Sequence, residues 1–242
     1  MHRLLISSDA LASSTPMLPT EAQHHLKVLR PKDGEVIELF DGAGHTRRYH
    51  YEAATRQLTR PDERRDFPPS ALPVTLFACV TKGSRWDWTL EKATELGVTR
   101  IVPVLSARTI VRIAPEERRA KQERWQRVVE DAARQSDAVW LPQLVSPVDF
   151  ETSLTLVRET TCFVGALTTP TPEPLLAAIL RARKESAPVG GYAVYVGPEG
   201  DFTPEELAAL LTQAIPTTFG PTILRAETAA LFALSTLMSA LQ

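Results

Sequence analysis

The sequence predicts an α/β protein in two parts: a small β-rich module over residues 1–70 and a larger domain over residues 71–242 built on a mostly parallel sheet. Three observations predict it. The first 70 residues contain short alternating runs, EVIELF and HTRRYHYEA, that read as half-buried strands. From residue 73 onward, strand-like runs alternate with helix-like stretches, the order that produces a parallel sheet with helices on both faces. Two of those runs, PVTLFACV and YAVYV, are continuously apolar, as strands covered on both sides are.

The small module begins with HRLLI as a strand and EAQHHLKVLR as a short helix stopped by Pro31. Lys32-Asp33-Gly34 turns the chain into EVIELF, and Asp41-Gly42 is a hairpin signal before the next alternating run. The charged and then proline-rich RPDERRDFPPSALP has no apolar period and reads as a linker. After PVTLFACV, Ser84 opens a helix as the N-cap of a capping box with Asp87 at N3. Trp86, Leu90 and Ala93 follow at helical spacing, and Gly97 is the stop. RIVPVL is the next strand. Pro115 opens a long helix with Trp125, Val128, Val129, Ala132 and Ala133 on one face, and a further strand signal lies near Val139. TCFVGA is a strand, Pro174 starts a helix, and YAVYVG is a strand. Thr203-Pro204-Glu205-Glu206 starts a helix with proline at N1 and glutamate at N3. TTFG and TILR are short and extended, and ETAALFALSTLMSALQ is the last helix, running to Gln242.

Composition excludes several functions. A net charge of −2 leaves no overall field to draw nucleic acid or membrane, so any nucleic-acid face is local. Cys79 and Cys162 sit in apolar runs and read as buried free thiols, with no CxxC or zinc spacing. No apolar run reaches membrane-span length and no signal peptide is evident, which points to a soluble cytoplasmic protein. All five histidines lie within the first 50 residues. A histidine-based triad or metal site in the larger domain would therefore need the small module to reach over.

In sheets of this kind ligands sit at the carboxyl ends of the strands, which directs attention to the loops after Ala166, Val196 and Leu224. The turn Gly197-Pro198-Glu199-Gly200-Asp201-Phe202 has two glycines for close backbone approach and a helix N-terminus beside it. It is neither a P-loop nor a GxGxxG, and its carboxylates suit a cationic or hydroxyl-rich ligand better than a phosphate. A structural turn with a helix cap is the plainer reading of the spacing alone. GPTILRAETAAL, from Gly220 to Leu231, places Arg225 and Glu227 at the head of the last helix. Either they cap that helix, where Glu227 favours the dipole, or they form a second ligand loop for an anionic or polarisable substrate. Arg30, Arg47, Arg48, Lys82, Arg85, Arg108 and Arg112 are candidate RNA contacts, with a solvated charged face as the plainer alternative for each.

Taken together, K-G-S-R at 82–85, K-A-T-E-L-G-V at 92–98, V-G-P-E-G at 196–200 and G-P-x-I-L-R-x-E-T-A at 220–229 resemble the 16S ribosomal RNA uridine-N3 methyltransferases, a family of the knotted SPOUT class. HHLKVLRPKDGEVIELFDG resembles the same family's PUA-like RNA-binding module. The resemblance implies a SPOUT domain with a deep trefoil knot, a feature that sequence reasoning alone does not reach. It implies S-adenosylmethionine (SAM) as methyl donor, no metal, 16S rRNA of the small ribosomal subunit as partner, and a homodimer. Carried onto this chain, the cofactor-binding residues are Leu167, Gly197, Pro198, Glu199, Gly200, Phe219, Gly220, Ile223, Leu224, Thr228 and Ala229. Arg225 is expected to stabilise the anion that develops on the uracil, and Glu227 or Glu199 to accept its proton. Arg30, Lys82, Arg85, Arg108 and Arg112 are expected on the RNA. The chain departs from the family pattern at Asp201, where glycine is usual, at Thr222, where arginine is usual, and at Asp137 and Ala138, where an arginine usually follows. Two other readings stand beside this one: a SPOUT enzyme acting on another RNA, and a catalytically silent RNA-binding protein.

Overall fold

The computed structural model describes residues 2–157, 159–185 and 190–241. The chain divides into two units: Met1–Pro69 together with Glu130–Leu141, and Ser70–Val129 together with Pro142–Gln242.

The first unit is built on β1 (His2–Leu5), α1 (Ser8–Ala12), α2 (Thr20–Leu29), β2 (Val36–Phe40), β3 (His45–Glu52), β4 (Gln57–Thr59) and β5 (Arg65–Asp66). Its sheet runs β1-β2-β3-β4, with β1 parallel to β2 and the rest antiparallel. Leu4, Leu11, Ile37, Leu39, Tyr49 and Leu58 fill its core. Strand β5 corrects the reading of 60–73 as a plain linker: Arg65 and Asp66 pair with Thr46 and His45 on the edge of β3. One charge in this core is fully partnered. Arg3 is 5% exposed, and its guanidinium meets Glu38 at 3.0 Å, the carbonyls of Ala133 at 3.1 Å and Ala138 at 3.2 Å, and the ring of Phe40 at 4.3 Å. A buried cation persists only with such compensation, and here the carbonyls come from the 130–141 segment. Asp137, in that segment, has φ of 57° and stands 3.6 Å from Arg3 Nε.

The second unit contains β6 (Val74–Cys79), α3 (Ser84–Glu95), β7 (Arg100–Leu105) and α4 (Arg118–Gln135), whose last turns belong to the first unit. It continues with β8 (Gln143–Leu144), β9 (Val148–Asp149), α5 (Phe150–Thr155), β10 (Thr161–Gly165) and α6 (Leu175–Glu185). It closes with β11 (Tyr192–Val196), α7 (Pro204–Leu210), β12 (Ala214–Thr217) and α8 (Ala226–Leu241). Gln242 lies outside the described residues. The sheet runs β12-β10-β11-β6-β7-β8, with β9 also on β7, and every described pairing is parallel. The expected parallel sheet is present. All of β6 and β11 is buried, as their apolar runs require. Phe77 of β6 and Tyr195 of β11 stack at 4.4 Å and 10°, and α8 packs on α3 and α6. Cys79 and Cys162 are buried and free.

Two local expectations need correction. Ser84 is not the N-cap of α3. Gly83 holds that position at φ 67°, no side chain caps the helix, and Asp87 pairs with Arg124 at 2.5 Å instead. Left-handed backbone at residue 83 suits glycine and moves the helix start by one residue. TILR is not extended structure either. The last strand is β12, Ala214–Thr217, and residues 219–225 form an irregular loop. The third loop to examine therefore follows Thr217 rather than Leu224. The start of α7 is as read: Thr203 accepts from Glu206 N at 3.2 Å, Glu206 Oε2 accepts from Thr203 N at 3.0 Å, and Pro204 is at N1.

Candidate active site

Strands β12, β10 and β11 are neighbours, so the loops leaving Thr217, Gly165 and Val196 emerge side by side at one edge of the sheet. They enclose a cavity of about 270 Å³. Its wall includes the small residues Gly165, Ala166, Gly197, Pro198 and Gly220, apolar Leu167, Ile223 and Leu224, and Glu199, Asp201 and Arg225 as charged groups. This is the crevice position expected of an open parallel sheet.

Each loop is held by identifiable contacts. The ring of Phe219 lies against Gly165, where a Cβ would meet it at 2.6 Å, and against Phe232 of α8 at 5.7 Å between centroids. The 197–202 turn is fastened by Arg108, whose Nη1 donates to the carbonyls of Gly200 at 2.8 Å and Phe202 at 3.3 Å. Glu206 Oε1 also accepts from Ala107 N at 2.7 Å. Asp201 has φ of 58°, and its Oδ1 accepts from Phe202 N at 2.8 Å. An aspartate in the left-handed region, stabilised by its own side chain, fills a place where glycine would otherwise serve.

Of the residues expected to hold the cofactor, Leu167, Gly197, Pro198, Glu199, Phe219, Gly220, Ile223, Leu224 and Ala229 line the cavity, while Gly200 and Thr228 do not. Leu167 is 66% and Ile223 81% exposed, so two apolar side chains stand uncovered at the cavity. Arg225 lines it, exposed and without an ion-pair partner among the described residues. Glu227 is in the first turn of α8, 9% exposed, is not among the cavity-lining residues, and its Oε2 is buried without a hydrogen-bond partner among the described residues. Arg85 stands between the two candidate carboxylates, 3.8 Å from Glu199 and 3.8 Å from Glu227. Lys82 and Arg112 are exposed in this unit, Arg112 donating to the Ala107 carbonyl at 3.2 Å. Arg30, Arg47 and Arg48 belong to the first unit. Arg30 is the exposed C-cap of α2, Arg47 is bonded to loop carbonyls and Arg48 to Glu38.

Sequence reasoning did not single out Thr217, Thr218 or Ala226, which also line the cavity. The missed strand β12 hid the first two: AIPT is short and contains a proline, which an edge position tolerates. Ala226 follows Arg225 with no chemical signal of its own.

A cavity at the carboxyl edge of a parallel α/β domain is the position at which such folds bind ligands, and the comparisons specify the class. Residues 68–238 match the RNA methyltransferase domain and residues 18–58 the RNA methyltransferase PUA domain. Ribosomal RNA small subunit methyltransferase E of Synechocystis is 31% identical over 247 aligned positions, covering 100% of this chain and 78% of that protein. The protein of the same name from Mycobacterium bovis is 33% identical, covering 88% of this chain and 82% of its own length. Among solved structures, a Legionella pneumophila methyltransferase with its cofactor SAM bound superposes with a TM-score of 0.85 at 27% identity, covering 98% of this chain and 97% of that one. Ribosomal RNA small subunit methyltransferase E of Neisseria gonorrhoeae, bound to S-adenosyl methionine, does so at 0.81 and 29%, covering 99% and 97%. The chain belongs to the ribosomal RNA small subunit methyltransferase E family of RNA methyltransferases.

Proposed function

We propose that this protein methylates N3 of a uridine in the RNA of the small ribosomal subunit, with SAM as methyl donor. The observation that carries the reading is the cavity at the ends of β10, β11 and β12 in a chain whose relatives are named for small-subunit rRNA methylation, two of the superposing structures holding SAM. The residues present suit that donor. Leu167, Ile223 and Leu224 offer apolar surface to an adenine, Glu199 and Asp201 offer negative charge to a sulfonium, and the glycines admit close backbone contact. When bound, the donor supplies an activated methyl group.

The chain's own residues do the rest. Uracil N3 is on the Watson–Crick edge, so the target base is unpaired or flipped out when it reaches the cavity. Loss of its N3 proton spreads negative charge onto the carbonyl oxygens. Arg225, which lines the cavity and has no ion-pair partner among the described residues, stabilises that charge. Glu227 or Glu199 accepts the proton. Arg30, Lys82 and Arg112 are the exposed cations offered to phosphates, whereas Arg108 is committed to the 197–202 turn, Arg85 faces Glu199 and Glu227, and Arg47 and Arg48 are bonded within the first unit. Leu176 and Leu180 of α6 and Phe232 of α8 are exposed apolar side chains that support a homodimer. Light scattering that returns a monomer would remove the dimer from this reading.

The test uses small ribosomal subunits lacking base methylation, labelled SAM and this protein, followed by nucleoside analysis. Label in 3-methyluridine is the expected result. Label in another nucleoside overturns the N3 assignment, and no label with the subunit overturns the substrate.

A further inference from the structure

Glu199 lies in the loop after β11 and Glu227 in the first turn of α8, two segments far apart in the chain, yet both face one guanidinium. Arg85 Nη1 is 3.8 Å from Glu199 Oε1, and Arg85 Nε is 3.8 Å from Glu227 Oε1. Arg85 is placed against its own helix's preference. It sits in the first turn of α3, where a cation opposes the dipole, and Gly83 at φ 67° starts that helix without a side-chain cap. The two carboxylates offset that arrangement. Both separations exceed hydrogen-bonding distance, so the guanidinium orients the carboxylates by charge and is only half covered, 47% exposed.

The two carboxylates are not equivalent. The Glu199 side chain is 29% exposed and lines the cavity. The Glu227 side chain is 11% exposed. Its Oε1 faces Arg85, and its Oε2 is buried with no hydrogen-bond partner among the described residues; Glu227 does not itself line the cavity but directly follows the lining residues Arg225 and Ala226 in the chain. A buried acceptor left unpaired costs stability, so it persists where a donor arrives with the ligand. Most charges on the elements packed on α8 are engaged elsewhere among the described residues, and Lys184 is exposed in the last turn of α6. Strands β6 and β11 carry none. On α3, Asp87 is paired with Arg124, and Lys92 with Glu91 and Glu95. On α6, Arg181 is paired with Glu173 and Glu185, and Arg183 donates to the Ala240 carbonyl at the far end of α8.

We propose that Arg85 is a positioning residue that fixes the Glu227 carboxylate, leaving Oε2 free to take the N3 proton of the target uridine. This rests on the reading given under Proposed function and selects Glu227 over Glu199 as proton acceptor. As the N3–H proton passes to Glu227 Oε2, the N3 electron pair forms the new N–C bond to the methyl. The C–S bond breaks, its electrons remain on sulfur, and the sulfonium becomes a neutral thioether. Glu227 then returns the proton to water.

The test is a double-mutant cycle on methyl transfer to the small subunit, with kcat and the KM for RNA measured separately. Glu227→Gln is expected to lower kcat by about 10²-fold or more, the usual share of a general base. Arg85→Ala lowers kcat by about tenfold or more with the KM for RNA within about twofold, Arg85→Lys restores part of it, and Arg85→Ala adds no further loss in the Glu227→Gln background. SAM binding and thermal melting confirm folding, and Arg85→Gln substitutes for Arg85→Ala should that variant fail to fold. A raised KM with kcat kept, losses that multiply in the double variant, or full activity in Glu227→Gln overturns the inference while the functional reading stands. No transfer by the unmutated protein overturns the functional reading itself, and the inference with it.

Discussion

Phe219 lies on Gly165 so closely that a Cβ at residue 165 would come within 2.6 Å of the ring. One residue ends β10 and the other follows β12, and both line the cavity. Gly165 is not in the left-handed region, so alanine there meets no backbone penalty. The three atoms nearest the added methyl all belong to that ring. Gly165→Ala is therefore expected to cost about 1–3 kcal/mol of folding stability, as overpacking does, and to weaken SAM binding about tenfold or more as the ring turns into the cavity. Thermal melting and calorimetry measure the two. Adding Phe219→Leu in the same chain should recover the affinity, and an unchanged affinity in Gly165→Ala would show that the ring moves away from the ligand.

Asp201 holds a backbone conformation that glycine adopts freely, and its geometry shows how an aspartate is accommodated there. With φ at 58° and Oδ1 on Phe202 N at 2.8 Å, the side chain supports the left-handed conformation that glycine would adopt freely. Asp201→Ala loses the bond and keeps the strain, for an expected loss of about 1 kcal/mol. Asp201→Asn keeps both features, and Asp201→Gly removes the strain along with the bond, so each is expected within about 0.5 kcal/mol of the parent. Urea unfolding of the three variants orders them, and an alanine variant as stable as the parent would sink the argument.

Much of this was legible in the chain, for reasons that differ by element. YAVYV and PVTLFACV could only be covered strands, and Thr203 with Glu206 fixed the start of α7 through local hydrogen bonds that need no tertiary context. The Ser84 capping box failed because Gly83, one residue earlier, accepts a backbone conformation that takes over the cap. β12 was hidden by Pro216, and TILR mimicked a strand because Ile223 and Leu224 are apolar for the cavity's sake rather than for a sheet's. Glu199 and Arg225 stood out as charges in unusual places. The bridge from Arg85 to Glu227 did not, since an ion pair between distant segments leaves no periodic trace.

Asp41 in the first unit gives a stability prediction with a definite sign. Burial pushes its carboxyl up. Hydrogen bonds from His45 at 2.6 Å, from Ser8 at 2.7 Å and from the backbone of Ala43 and His45 outweigh that and hold it below the usual carboxylate range. A depressed folded-state value means that the unfolded chain takes up the proton first as pH falls. The contribution is complete above the ordinary value of 3.8 and is lost as pH drops through the folded value. Asp41→Asn should thus be less stable than the parent at neutral pH, with the gap closing in acid. Denaturant titrations from pH 7 to pH 2 measure it, and a gap constant across that range would remove Asp41 from the acid limb.

Arg225 carries the sharpest prediction about the reaction. Its guanidinium is exposed, has no ion-pair partner among the described residues, and lines the cavity immediately before α8. Removing it breaks no packing, so Arg225→Ala should melt within about 0.5 kcal/mol of the parent, as surface substitutions do. The cavity wall on either side, Leu224 and Ala226, is untouched, and SAM binding should hold within a few-fold. Transfer should fall by about 10²–10³-fold, the range for losing a group that stabilises developing negative charge, and the loss should appear in kcat. Arg225→Lys keeps the charge but not the planar fork and should recover only part of the rate. Labelled SAM with small subunits gives the rate, and calorimetry gives the binding. A variant that binds SAM and transfers at the parental rate removes Arg225 from the chemistry, whereas one that loses SAM binding in step with activity places it on the donor instead of the base.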